Sequence, residues 1–472
     1  MSVFTNVVAP KPVPADPGLS IQPVPREQRR LSALDLAVLW GDLGVGLLVL
    51  AAGALLVPAL SGAEALAATV IGSVIGCLLL ALVGYVAAEA GVPTMVLTRA
   101  ALGVRGSFLP TILNVVQLIG WTSFEILVMA KFADHIAQHA GLATLYPLWA
   151  FLIAAFCTAM ALGGPLVVVR QWLEKFGLWA MLVTSAALFV ILLTRYDIGA
   201  LLAAAGGGGL GFWAAVDIVV SLPVSWFPLV ADYNRFARSR GGSFWGTFFG
   251  YLLANVAFFG LGILAVLALQ TGPDPLDVSG AVAELLLSGA GFALFALGLV
   301  ALLVILADEA DNGFADIYSA AVSTQNVVSR LPQRALVVIA GVFGLAIALI
   351  VQSSSYETFL LLIGAVFVPL LGVVAADYFI VRRGRYEPDE LFAAGGRYWY
   401  GSGVNVAAIA VWAIGFLLYE WISGGLAGFG LAWSADLAIG ATMPSFALAF
   451  VLQAVTGRLL GRVPISRYTK SA

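Results

Sequence analysis

The chain has 472 residues, 61% of them hydrophobic and only 10% charged, with a formal net charge of −3 and a mean hydropathy of +1.01. So apolar a composition excludes an ordinary soluble domain; no nucleic-acid partner is expected, although the net charge itself says nothing about one. The expected class is an all-α polytopic membrane protein whose constant partner is the lipid bilayer.

The first thirty residues are polar and rich in proline (Pro10, Pro12, Pro14, Pro17, Pro23, Pro25), and Arg26, Arg29 and Arg30 follow. This reads as a disordered cytoplasmic tail over 1–33 with no cleavable signal in front of it. About twelve apolar segments long enough to cross a bilayer come next, at 34–60, 64–90, 107–134, 146–167, 172–194, 213–236, 243–270, 289–317, 335–352, 355–380, 402–422 and 439–461. The expected plan is a transport core over 34–380, built from repeats 34–194 and 213–380. Two additional membrane helices over 381–461 and a cytoplasmic tail over 462–472 complete it.

Charge placement tests the count. With the amino terminus inside, all of the 23 basic residues except Lys131 and Arg195 fall on the inner side. The outer loops carry Glu64, Asp197, Asp274, Asp277, Glu357 and Asp436 instead. One span more or fewer would scramble this asymmetry, so both termini are expected in the cytoplasm and the protein in the plasma membrane. Asp277–Ser288 has the pattern of a short amphipathic helix lying over the outer face.

Two spans contain helix breakers at matching places. The first holds Trp40-Gly41-Asp42-Leu43-Gly44-Val45-Gly46, three glycines and a carboxylate at mid-helix. The sixth holds Ser221-Leu222-Pro223-Val224-Ser225-Trp226-Phe227-Pro228, where two prolines remove backbone donors and force a bend. The breaks lie five spans apart. An odd number of spans per repeat inverts the second copy in the membrane, which gives a 5+5 inverted-repeat fold. Paired broken helices in such a fold mark a binding site at mid-membrane.

The polar residues inside the apolar spans carry the chemistry. Gln117, Trp121 and Glu125 recur every fourth residue of the third span and so share one helix face. Trp121 offers a π-face to a planar ring, and Gln117 and Glu125 offer hydrogen-bonding groups along its edge. The eighth span, LVILADEADNGFADIYSAAVS (303–323), places Asp308, Glu309, Asp311 and Asp316 within nine residues. A carboxylate at mid-bilayer costs about 2.5–3.5 kcal/mol on insertion scales, so the cluster must face protein, water, a cation or a polar solute. Asp308, Asp311 and Asn312 share a face, Asp316 follows one turn below, and Glu309 is expected to point elsewhere, toward a helix interface. Carboxylates beside free carbonyls near Gly41–Gly44 suit a sodium ion or a titrating proton. Asp232, at the end of the sixth span, reads as an anchor or gate residue near the membrane surface. Cys77 and Cys157 read as small buried hydrophobes, and His135 and His139 as a solvated helix end rather than a metal pair.

Together these residues resemble the nucleobase–cation symporter 1 family of purine, cytosine, allantoin and hydantoin permeases. The carriers are LWGDLGVG in the first break, GVPTMVLTRAALGVRGSFLP before the third span, and the pair Trp121-x-x-x-Glu125. SWFPLVADYNRFAR after the sixth break and FADIYSAAVS after the acidic cluster complete them. The resemblance implies a twelve-span fold like that of leucine transporters, with substrate between spans 1, 3, 6 and 8 and a cation between spans 1 and 8. It also implies rocking of spans 1, 2, 6 and 7 against the rest. Family members stack a heterocycle on the residue matching Trp121. A glutamine commonly follows where this chain has Glu125, an exchange that favours a donor-rich ring such as an aminopyrimidine. The family's second aromatic clamp falls near Pro223, with Trp226 displaced from it by three residues. Sodium-linked members carry a Ser/Thr pair where this chain has Ala310, Asp311 and Asn312, so a carboxylate takes over as ligand or the ion is a proton. The PVSWFPLVADYNRF pattern is similar to the hydroxymethylpyrimidine branch.

The expected function is therefore import of a nucleobase-like pyrimidine, of cytosine or hydroxymethylpyrimidine type, by symport with Na+ or H+. The alternatives are a purine, allantoin or thiamine-related permease of the same family, and an amino-acid or amine symporter of the same fold. A channel would not need paired broken helices, and the sequence holds no nucleophile–histidine pair, zinc spacing or phosphate loop for an enzyme. The expected substrate residues are Trp121, Glu125, Gln117, Asp42, Gly44, Pro223, Trp226, Asn312 and Asp316. The expected cation residues are Gly41, Gly44, Ala307, Asp308 and Asp311, with no cofactor beyond the coupling ion.

Overall fold

The computed structural model describes residues 21–163, 178–271, 274–287, 292–425 and 439–460. Residues 1–20 and 462–472 of the expected tails, and the loop carrying Arg170 and Lys175, lie outside them. The described residues form helices at every one of the twelve expected spans. The first span is α1 (Ala33–Asp42) and α2 (Leu47–Ala54); then come α3 (Gly62–Ala90), α4 (Phe108–His139), α5 (Tyr146–Gly163) and α6 (Leu178–Arg195). The sixth span is α7 (Phe212–Ser225) and α8 (Val230–Asn234), followed by α9 (Arg240–Leu269). A short helix α10 (Asp277–Leu287) precedes α11 (Phe292–Val327), α12 (Gln333–Ala348), α13 (Tyr356–Ala376), α14 (Val406–Ser423) and α15 (Thr442–Leu460).

Packing sorts these helices into two groups. Spans 1, 2, 6 and 7 form one, with α1, α2 and α3 against α9 and α3 against α7. Spans 3, 4, 8 and 9 form the other, with α4 against α11 and α12 and α5 against α11. Each group holds a span together with the one five places later, the signature of a 5+5 repeat. Spans 10, 11 and 12 pack on one another through α13, α14 and α15.

Close packing in the first group depends on missing side chains. Leu50 O of α2 approaches Gly262 of α9 so nearly that a Cβ there would overlap it, and Gly76 of α3 receives the Pro223 ring in the same way. Backbones that touch in this manner are how membrane helices gain dispersion energy when lipid gives no hydrophobic drive.

The two breaks differ. At Leu43–Gly46 the chain bends by 58° between α1 and α2. In the sixth span, Pro223 lies inside α7, and the interruption comes later, as a 3-10 turn at Phe227–Leu229 with Pro228 at its start. A proline in the first turn of a helix segment loses no hydrogen bond, which is why Pro228 and not Pro223 sits at the boundary.

The expectation of disorder up to residue 33 is corrected for residues 21–32. Ile21 and Val24 are buried, Val24 N donates to Gly91 O, and Leu31 pairs with Phe236 and Arg238 through the backbone. Arg29 donates to Val24 O, Ala88 O and Glu89 O, tying this segment to the end of α3. Polarity and proline removed any helical pattern here, but a few apolar side chains and one arginine suffice to hold an irregular segment.

The segment between α3 and α4 is also packed. Arg99 is buried, donates to Asn326 at the end of α11 and to Leu391 O, and lies over the Phe392 ring. Burial lowers its pKa to about 10, so it stays charged near neutral pH. At the opposite end of the molecule, Asp274 meets Lys131 at 3.6 Å and bonds to Ser353, while His135 lies 3.6 Å from Glu284 of α10.

Candidate substrate and cation site

Between the two breaks lies a small buried cavity. Leu43, Gly46, Leu48 and Val49 line it from the first span, Trp121 and Glu125 from α4, and Leu222, Ser225 and Trp226 from the sixth span. Tyr251 of α9 and Glu309, Asn312 and Asp316 of α11 complete the wall. In this closed form there is room for about one or two water molecules, so a planar ring requires the walls to separate.

Trp121 is held edge-on by aromatic rings of α13. Phe359 lies 5.2 Å away at 73° and Tyr356 6.0 Å away at 79°. Trp226 meets Trp40 edge-on at 6.0 Å and donates from Nε1 to the Tyr251 hydroxyl at 2.9 Å. Both indoles are therefore fixed by neighbours, and both line the cavity. Trp121 Nε1, Glu125 Oε2 and Asn312 Oδ1 are buried with no hydrogen-bond partner among the described residues. Buried polar atoms are normally satisfied, so these mark the places where a polar ligand can bond.

The break in the first span supplies the anchor. Glu309 accepts from Leu47 N at 2.6 Å and Leu48 N at 3.4 Å, capping the open amino end of α2. Gly46 makes this possible, because a Cβ at 46 would stand 3.0 Å from Glu309 Oε2 and 3.1 Å from Asn312 Nδ2. Asn312 donates from Nδ2 to Val45 O at 3.1 Å, binding a carbonyl that the break leaves outside the helix ladder. Glu309 thus meets a partner across a helix interface, as expected, and it also lines the cavity, which was not expected.

Beside the cavity, carboxylate oxygens of Asp42, Asp308 and Asp311 all lie within 4.8 Å of one another, and all three residues are buried. Three such groups cannot share so small a space unless a cation or protons lie among them. Asp42 therefore belongs with the acidic triad and does not line the cavity, where it had been expected as a substrate residue. It is the last residue of α1, and the bend after it turns its side chain toward α11.

Five other expected residues lie elsewhere. Gln117 donates to Asn114 Oδ1 at 3.0 Å and Ser225 O at 3.1 Å, so it satisfies a carbonyl at the sixth-span break, one turn away from the cavity wall. Gly41 packs on Gly250 and Gly44 on Ala254 of α9. Pro223 packs on Gly76 of α3. Ala307 is half-buried inside the unbroken α11, where its carbonyl belongs to the helix ladder. Asp232 is fully buried and accepts from Thr94 N at 3.1 Å, so it ties the sixth span to the segment before α4 rather than standing at a surface.

Glu309, Ser225 and Tyr251 were missed as cavity residues. Tyr251 carried no sequence signal, since one tyrosine in an apolar helix reads as packing. Ser225 stood between the two prolines and could have been marked by its place at the break.

A buried cavity framed by two interrupted helices, between two helical groups, is the arrangement of a carrier of small solutes across a membrane. The chain belongs to the family of permeases for cytosine/purines, uracil, thiamine and allantoin, whose model matches residues 23–448. It is thus a transporter of the nucleobase–cation symporter 1 family and not an enzyme. It is 22% identical over 403 residues to the hydantoin permease of Microbacterium maritypicum, covering 82% of this chain and 81% of that one. To the cytosine permease of Escherichia coli K12 it is 27% identical over 369 residues, covering 76% and 78%. The structure of Mhp1 in a closed conformation with bromovinylhydantoin bound superposes with a TM-score of 0.80 at 21% identity, covering 94% of this chain and 96% of that one. The fold is accordingly the inverted-repeat transporter fold.

Proposed function

We propose that this permease imports a nucleobase-like pyrimidine, of cytosine or hydroxymethylpyrimidine type, by symport with Na+ or H+. The observation that carries the reading is the pair of indoles, Trp121 and Trp226, on one buried cavity with unsatisfied polar atoms at its rim. The ring stacks on Trp121; Glu125 Oε2 and Asn312 Oδ1 accept from its edge. One hydrogen of the Asn312 amide is committed to Val45 O, which turns its Oδ1 into the free acceptor at the cavity. Two acceptors at the rim, against one donor at Trp121 Nε1, suit an amino-substituted ring better than a dione.

The acidic triad supports the coupling half of the proposal. Asp42 stands on the first span and Asp308 and Asp311 on the eighth, so a cation held among them joins the two helical groups. Glu309 links that event to the cavity, since it bonds the first turn of α2 and faces the solute. Filling both places draws the groups together; emptying them lets the cavity open toward the other side. In this reading the core spans 34–380 with repeats 34–194 and 213–380, the helices within 381–461 are additional, and both termini are cytoplasmic in the plasma membrane.

The test is a ligand thermal-shift panel on the purified protein: cytosine, uracil, purines, hydroxymethylpyrimidine, thiamine and amino acids, with and without sodium. An aminopyrimidine should raise the melting temperature most, and its effect should depend on sodium or on pH. Stabilisation by amino acids alone would refute the reading.

A further inference from the structure

The cavity wall is one-sided in charge. It contains three carboxyl groups, Glu125, Glu309 and Asp316, each at most 4% exposed, and no lysine, arginine or histidine. Its remaining surface includes the indoles of Trp121 and Trp226 and the ring of Tyr251. Aromatic faces attract cations through the ring quadrupole, and carboxylates attract them directly; both act more strongly where water is excluded. Neither favours a neutral dione, whose carbonyl oxygens would meet carboxyl oxygens.

Glu309 is the group best placed to keep a negative charge. Two backbone amides at the amino end of α2 donate to it, and the helix dipole adds to their effect. Glu125 lies against Glu309, and two carboxyl groups in contact need a proton or another cation between them. The partnerless Glu125 Oε2 and Trp121 Nε1 make this a built site rather than a mere acidic cluster.

We propose that the solute is bound as an organic cation, a planar heterocycle or amidine protonated on a ring or exocyclic nitrogen, with Glu309 as its fixed counter-charge. This rests on the reading that the Trp121 cavity holds the solute. It goes beyond it by assigning the charge of the solute and a specificity role to Glu309. The positive group sits between Glu309 and Glu125 while the ring stacks on Trp121, and the shared proton of the acidic pair is no longer required.

Pairs of nearly equal shape, one member cationic and the other neutral, test it, and the Glu309 variants separate charge from hydrogen-bonding pattern. Binding of 4-aminopyridine against 4-pyridone, and of benzamidine against benzamide, is measured at neutral pH on the purified full chain by tryptophan fluorescence or calorimetry. The charged member of each pair should bind at least tenfold tighter. Glu309→Gln should erase that preference, while Glu309→Asp should keep part of it. Circular dichroism and melting temperature confirm that each variant is folded, and Glu125→Gln, which leaves the Glu309 cap of α2 in place, should weaken the same preference. Equal or tighter binding of the neutral members, still abolished by Trp121→Ala, would overturn the charge assignment and leave the heterocycle site standing. Failure of both members of both pairs to bind would overturn the charge assignment and count against the heterocycle site as well.

Discussion

Trp121 is the residue on which solute binding turns. Replacing it with alanine removes the stacking face, a loss of about 1–3 kcal/mol by analogy with bases on aromatic side chains. Affinity should therefore fall roughly five- to 150-fold, measured by equilibrium binding of the best ligand of the panel, and loss of a buried, packed indole should lower the melting temperature as well. Gly46→Ala acts differently. Its backbone is extended, so alanine fits the dihedral angles, but the new Cβ would press on Glu309 and Asn312. Overpacking of this kind costs about 1–3 kcal/mol, and thermal shift should show lower stability together with weaker binding. Trp121 and Glu125 were legible in the sequence because a four-residue interval on an uninterrupted helix fixes a shared face. Asp42 was misassigned because it sits where a break turns the chain, and helical spacing does not extend through a break; the place of Glu309 on the cavity was missed because the open helix end that it caps belongs to another span.

At the scale of elements, the acidic triad and the segment before α4 make separate predictions. Asp42→Asn removes one carboxylate from three that must share a cation or protons. Ligand binding by this variant should lose its dependence on sodium or on pH, while the Trp121 site keeps its fluorescence response at saturating ligand. Arg99→Ala leaves Asn326 Oδ1 and Leu391 O without their buried donor. An unsatisfied buried group costs about 1–3 kcal/mol, so the melting temperature should drop with ligand affinity unchanged. The bend at Gly41–Gly46 was readable from three glycines and an aspartate. The sixth-span interruption was readable as well, but not its position, since a proline tolerated inside a helix and one starting a new turn look alike in sequence. The fit of residues 21–32 against α3 was not readable, because it depends on Ile21, Val24, Leu31 and Arg29 meeting partners that only the folded chain supplies.

At the scale of the molecule, the pairing of each span with the one five places on produces two helical groups with the cavity between them. One charge carried inward at 100 mV supplies about 2.3 kcal/mol, enough for roughly fifty-fold accumulation. Proteoliposomes with an inside-negative potential should therefore concentrate the labelled solute, and an ionophore that collapses the gradient should release it. Flux without accumulation would describe a channel instead. The two-group division was implied by the family resemblance, whereas the five-span repeat was read from matched breaks and the alternation of basic loops, long-range regularities that survive errors in individual helix ends.

The most direct measurement is a structure of the purified protein with the panel's best ligand bound. Density for a planar ring between Trp121 and Trp226, its edge against Glu125 and Asn312, is the predicted result. A ring bound elsewhere, with the Trp121 face still covered by protein, would contradict the account.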